Sequence, residues 1–225
     1  MCIRDRIRGS LIAGAIGDAL GYPIEFERNI QERQVSKYLF DKGIISDDTQ
    51  MSLFTANALL WRETRAVLKG IALPLKDAIY LAYLDWLETQ TGKKNEKTIS
   101  WIKEVPELKE KRAPGNTCLS TLLSGKMGTL EEPINYSKGC GTVMRIAPIG
   151  LSIEDPLTAG KIAREASAIT HGHQLGMIPS DFKAIFINIL TNEDLPLEES
   201  LEKTLELYAE NSSIYSEEFS DYFLQ

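Results

Sequence analysis

Apolar positions along this chain recur at intervals of three and four, the spacing that gathers side chains on one face of an α-helix. In residues 7–20, Leu11, Ala15 and Ala19 follow one another every four positions. Residues 50–64 set Met51, Phe54, Ala58 and Trp61 on one stripe, and after Pro74 the same holds for Leu75, Ile79, Ala82 and Trp86. That proline suits a first-turn position. Asp155 followed by Pro156 marks a helix start leading to about residue 170. The run "GMIPSDFKAIFINIL" predicts another helix after Pro179, Leu197, Leu201 and Leu205 mark one near the end, and 214–223 reads as a last short one. Between these lie two polar stretches read as loops, 92–115 with "GKKNEK" and "KEKRAPGN", and 126–141, with a short helix starting near Thr117 between them. Polar–apolar alternation that could build a sheet is absent. The expected fold is all-α, a compact multi-helix single domain over residues 7–225. Met1 to Arg6 carries no periodic pattern; it is a candidate for non-native sequence and is given no weight.

Composition narrows the partners more than the fold. The 225 residues are 43% hydrophobic and 25% charged, with a formal net charge of −7. Such a surface does not attract a phosphate backbone in bulk, so nucleic acid is not an expected partner. The three cysteines, Cys2, Cys118 and Cys140, are too few and too far apart for a disulfide framework or a CxxC metal site, which suits a reducing compartment. Arg4, Arg6 and Arg8 before "GSLIAGAIGDALG" imitate a signal peptide, but Asp18 interrupts the apolar run. It reads as an amphipathic helix in a cytoplasmic protein. No stretch approaches the roughly 20 apolar residues needed to span a bilayer.

Four segments can carry chemistry. In "GIISDDTQM", Ser46, Asp47, Asp48 and Thr49 stand directly before an apolar helix. They can cap it, because Ser and Asp oxygens accept from the free N–H groups of a first turn. One carboxylate suffices for a cap, and two adjacent ones repel unless a cation separates them. Ser46, Asp47 and Asp48 also offer three oxygen ligands, one wall of a site for a hard cation such as Mg²⁺. In "GSLIAGAIGDALGYPIEF", Gly14, Gly17 and Gly21 share a helix face suited to close helix packing. Asp18 reads as a solvated residue or a cap, and Glu25, after Pro23, is freer to reach a site. In "INYSKGCGTVMRIAPIGL", Gly139 and Gly141 flank Cys140. Either their backbone faces an anion at a following helix N-terminus, or they form a turn with Arg145 exposed. No Cys–His spacing supports Cys140 as a nucleophile. His171 and His173 are the only histidines; their i, i+2 spacing does not suit two ligands on one helix face. One of them packs or lines a pocket, with His173 the better candidate for a structural role.

Taken together, "GSLIAGAIGDALGYPIEF", "SDDTQM", "RAPGNTCLS", "YSKGCGTVMRIAPIGL" and "ITHGH" resemble, in that order, the ADP-ribosyl-glycohydrolase family, which includes the hydrolase that reactivates dinitrogenase reductase. The resemblance runs from about Ile7 to about His173. It implies an all-α fold holding two Mg²⁺ (or Mn²⁺) ions in a cleft. Ser46, Asp47 and Asp48 match the first half of the ligand set. Glu25 matches a glutamate that approaches the metals, so Glu25 and Asp48 are the catalytic candidates. Ser137, Gly139, Cys140 and Gly141 match the ADP-ribose-binding loop, and His171 the histidine that lines the nucleotide pocket. The implied reaction removes ADP-ribose from a protein side chain or small molecule by cleavage at the ribose anomeric carbon. The alternatives are a non-catalytic ADP-ribose-binding module or inactive relative, and a helical interaction protein whose acid pair is only a cap. The family's late Asp-x-Asp-Thr/Ser motif is missing: Asp181, Asp194 and Asp221 each stand alone. The chain therefore resembles a C-terminally truncated member, with half of a two-metal site and weak or no activity expected of it.

Overall fold

A computed structural model describes residues 2–27 and 43–211. The expected helix over 214–223 lies outside the described residues. The rest is all-α, with no strand among the described residues. The helices are α1 (Ile3–Gly21), α2 (Asp47–Lys69), α3 (Leu75–Thr91), α4 (Asn116–Leu123), α5 (Ala147–Ser152), α6 (Pro156–Ala168), α7 (Gln174–Asn192) and α8 (Leu197–Glu210). α2 and α3 end on Gly70 (φ 66°) and Gly92 (φ 72°), left-handed positions that glycine fills without a Cβ clash.

The periodic stripes become the core. Met51, Phe54 and Ala58 of α2 meet Ile79, Ala82 and Trp86 of α3, and Ile146, Ile149, Ala163 and Ala166 close the cluster from α5 and α6. A second cluster, Ile178, Ile185, Ile189 and Tyr208, joins α7 to α8. Polar bonds lock the pairs. Gln50 accepts from Trp86 Nε1 (3.2 Å) and Gln90 Nε2 (3.1 Å) and donates to the Glu110 carbonyl (2.9 Å), tying α2 to α3 and to the loop that carries "RAPGN".

Several expectations need correction. α7 starts at Gln174, so Pro179 lies inside it. A proline this near the N-terminus removes one helix hydrogen bond, and burial of Gly176, Met177 and Ile178 offsets the loss. Pro74 is the N-cap of α3 and not a first-turn residue. α1 starts at Ile3, and Arg6, given no weight above, donates to the Leu190 carbonyl at 2.7 Å. Among the described residues, Gly14, Gly17 and Gly21 do not mediate close packing: a Cβ on any of them would meet none of their atoms within 4 Å. The close approaches are elsewhere. A Cβ on Gly160 of α6 would lie 2.2 Å from Asp181 Oδ1, and one on Gly150 of α5 would lie 2.6 Å from the Ala184 carbonyl. These glycines let α5 and α6 seat against α7, which sets the floor of the site.

Candidate active site

The site grows from the first turn of α2. Ser46 is the N-cap: its backbone is extended and its Oγ accepts from the Asp48 N–H (3.2 Å). Asp18, at the end of α1, completes the cap from outside. One of its oxygens accepts from the Ser46 N–H (2.8 Å), the Thr49 N–H (3.1 Å) and the Thr49 hydroxyl (2.5 Å). Of the two readings of Asp18, a solvated residue or a cap, the structure shows the cap, and the helix it caps is α2 rather than its own. The consequence concerns its neighbours: with the cap supplied by Ser46 and Asp18, neither Asp47 nor Asp48 is needed for it.

Asp47 is 6% exposed. Its N–H donates to the Arg112 carbonyl (3.0 Å) and its carboxylate accepts from the Gly115 N–H (3.1 Å). The loop "RAPGN" therefore grips Asp47 at both ends. Between those grips Ala113 has φ 46°, the left-handed region that costs a residue with a Cβ about 1–2 kcal/mol. Burial is the main force that pushes the Asp47 carboxyl up to about 7; Asp48, Glu25 and Asp18 add to it, against the Gly115 N–H. Asp48 is exposed toward solvent, yet its carboxyl is pushed up to about 6 by desolvation and by Asp18 and Glu25, with Lys183 opposing. Glu25, exposed after the short 3₁₀ turn Tyr22–Ile24, is raised by partial desolvation and by Asp18. Four acids thus share one corner, with Lys183 as the cation that acts on Asp48. Lys183 donates to the Val143 carbonyl (3.0 Å), and burial lowers its own proton affinity. It shares a pocket of about 250 Å³ with Asp18, Asp48, Thr49 and Ser52. Among the described residues, no three His, Cys, Asp or Glu side chains converge closely enough to hold an ion by themselves.

The "RAPGN" loop links this corner to the glycine-rich segment. Thr117 Oγ1 and Ser137 Oγ are hydrogen-bonded at 3.2 Å, and the Gly139 N–H donates to Ser137 Oγ (3.3 Å). Gly139 and Gly141 lie on the imidazole of His171: a Cβ on Gly139 would sit 3.2 Å from Nε2, and one on Gly141 would sit 3.5 Å from Cε1. Asn135 fastens the two segments together. Its Oδ1 accepts from the Ser137 and Gly172 N–H groups (3.0 and 3.1 Å), and its Nδ2 donates to the Thr170 carbonyl (2.7 Å). Nothing in the local pattern had marked Asn135. Cys140 is a free, exposed thiol.

His171 is 2% exposed, and its pKa falls to about 4, first through burial and then through Arg145. His173 takes the structural role expected for it: it is the N-cap of α7, its Nδ1 accepting from the Leu175 N–H (3.0 Å). Arg145 corrects the reading of an exposed arginine, because it is fully buried. The expected helix N-terminus behind the glycines is also absent. Val143–Arg145 is a single 3₁₀ turn that carries Arg145 inward before α5 begins.

The structure thus links Asp47, the "RAPGN" loop, Ser137, Gly139, Gly141 and His171 through a run of hydrogen bonds and close contacts, with Asp48 and Glu25 acting on the same acidic corner. Arranged so, the acids can hold a cation or a proton, and Gly139 and Cys140 of the small-residue loop are exposed. The family model described as ADP-ribosylglycohydrolase matches residues 2–224. No curated protein matches the chain.

Proposed function

We propose, from the premise that the chain belongs to the ADP-ribosylglycohydrolase family, that it is built to remove ADP-ribose from a modified protein side chain or small molecule, with a divalent cation at Asp47 and Asp48. The observation that carries this is the release of both aspartates from capping while burial and the surrounding carboxylates raise their proton affinity. Oxygen donors crowded in this way suit a hard cation such as Mg²⁺ or Mn²⁺. Asp47 and Asp48 would hold it, with Ser46 beside them; the remaining positions of an octahedron fall to water, to ligand hydroxyls or to residues beyond those described. When bound, the ion supplies Lewis acidity and a template for the ribose hydroxyls.

The chain's own residues do the rest. The ribose lies at the acidic corner, where carboxylates offset the positive charge that develops as the glycosidic bond breaks. Glu25 or Asp48 accepts the proton of the attacking water, and their raised proton affinities suit a general base near neutral pH. Ser137, Gly139, Cys140 and Gly141 receive the pyrophosphate or ribose on backbone groups, with His171 beneath them. Three dispersed free cysteines support a cytoplasmic setting. No described helix is long and apolar enough to cross a membrane.

The lack of a closed three-ligand set among the described residues favours a second reading, a module that holds ADP-ribose without turnover. Hydrolysis assays on ADP-ribosyl-arginine and ADP-ribosyl-serine peptides, run beside calorimetry with ADP-ribose, separate the two. For the cation, thermal unfolding in Mg²⁺ and in EDTA is the test. At a hundredfold excess over its dissociation constant Mg²⁺ stabilises by about 2.7 kcal/mol, a rise of several degrees for a chain of this size. Asp47→Ala with Asp48→Ala abolishes the rise. Identical wild-type melting curves in Mg²⁺ and EDTA count against the site.

A further inference from the structure

Arg145 presents a problem that the proposed site does not absorb. Its guanidinium is fully buried, yet it pairs with no carboxylate among the described residues. It lies over the Tyr83 ring at 4.4 Å and donates to the Ala166 carbonyl (3.2 Å), Cys118 Sγ (3.5 Å) and Thr170 Oγ1 (2.7 Å). A charge buried among neutral partners is costly, and its shortest bond points at a single hydroxyl.

That hydroxyl leads to the site. Thr170 Oγ1 lies 2.8 Å from Nδ1 of His171, and the opposite edge of the same ring meets Gly139 and Gly141. Thr170 has one hydroxyl proton. With a cationic donor occupying an oxygen lone pair, the proton is polarised outward, toward the better of two nearby acceptors. Those are an imidazole nitrogen and the Cys118 sulfur, and sulfur is the weaker. An Nδ1 that accepts leaves the ring proton on Nε2 in the neutral imidazole.

We infer that Arg145 is a positioning residue: through Thr170 it holds His171 neutral with the proton on Nε2, so that the ring offers an N–H to the glycine loop and to an acceptor oxygen, phosphate or ribose, seated there. In the other tautomer a bare nitrogen lone pair would face that oxygen and repel it. Burial and the Arg145 charge, which together depress the His171 pKa, keep the ring from becoming a cation near neutral pH. The inference rests on the ADP-ribose reading for the identity of the ligand, but not for the state of the ring.

The two can be tested separately. With two histidines in the chain, long-range ¹H–¹⁵N correlation of the imidazoles at neutral pH resolves both tautomers, and His173→Asn assigns them. Nε2-protonated His171 is the expected result; Nδ1-protonated or charged His171 overturns the inference. Thr170→Val keeps the shape and removes the hydroxyl, so the ring redistributes between tautomers and ADP-ribose binds on the order of tenfold more weakly. Thr170→Ser retains the wild-type signature. An unchanged tautomer in Thr170→Val, or a shift in Thr170→Ser as large as in Thr170→Val, overturns the relay. If wild-type His171 carries its proton on Nε2 while ADP-ribose fails to bind, the functional proposal falls and the relay stands.

Discussion

The acidic corner of α1 and α2 and the Arg145–His171 layer beneath the glycine loop bury charge in opposite ways. At the corner, Asp18, Glu25, Asp47 and Asp48 act on one another, and only Lys183 eases Asp48. Beneath the loop a single guanidinium is wrapped by a ring, a carbonyl, a thiol and a hydroxyl. The first region is left wanting positive charge; in the second, both terminal nitrogens of the guanidinium find acceptors within the protein, and only Nε goes without one. Burial alone therefore does not mark a binding site. What separates the regions is whether the protein supplies the counter-interaction itself.

Removing Arg145 has the largest expected effect. Arg145→Ala leaves the Ala166 carbonyl and Thr170 hydroxyl without their donor and opens a cavity beside Tyr83, a loss of about 3–5 kcal/mol by chemical denaturation. A loss within experimental error would mean the layer is not satisfied by Arg145, and the contrast between the regions would collapse.

Next comes pH. Without a cation, Asp47 and Asp48 have folded pKa values of about 7 and about 6, above their unfolded value of 3.8. Their contribution to stability is fully present below about pH 4 and is lost as pH rises through 6 and 7. His171 has the opposite sign: its folded pKa of about 4 lies below 6.5, so its contribution is present above 6.5 and is lost as pH falls toward 4. In EDTA, the melting temperature of Asp47→Asn with Asp48→Asn, minus that of wild type, should grow from pH 4 to pH 7.5. A flat difference would show that the corner carries no repulsion.

The smallest effect is at Ala113. Glycine accepts φ 46° freely, so Ala113→Gly relieves strain while loosening the unfolded chain, for a net gain of no more than about 1 kcal/mol. Weaker Mg²⁺ stabilisation in that variant would sharpen the comparison, because it would show that the strained loop pre-sets Asp47 for its ligand.

The positions that sequence made legible are those governed by near neighbours. The stripe of Met51, Phe54 and Ala58 entered the core as its spacing required. Ser46 capped α2, His173 settled into a structural place, and the Ser137–Gly141 segment came to lie against His171. That Asp18 caps α2 was hidden because its partners, Ser46 and Thr49, are distant in the chain and share no pattern with it. Asn135 was hidden for the same reason.

Local pattern thus determined the all-α class, most helix positions and the crowding of two acids at one helix start, since each depends on residues within a turn or two. Tertiary structure alone decided that Arg145 turns inward, that Gly150 and Gly160 rather than Gly14 and Gly17 are the points of close approach, and that Asp18 takes over the cap and frees Asp47 and Asp48. Each of those outcomes depends on which element lies opposite. That is a matter of long-range packing, and no window of the chain contains both sides of the contact.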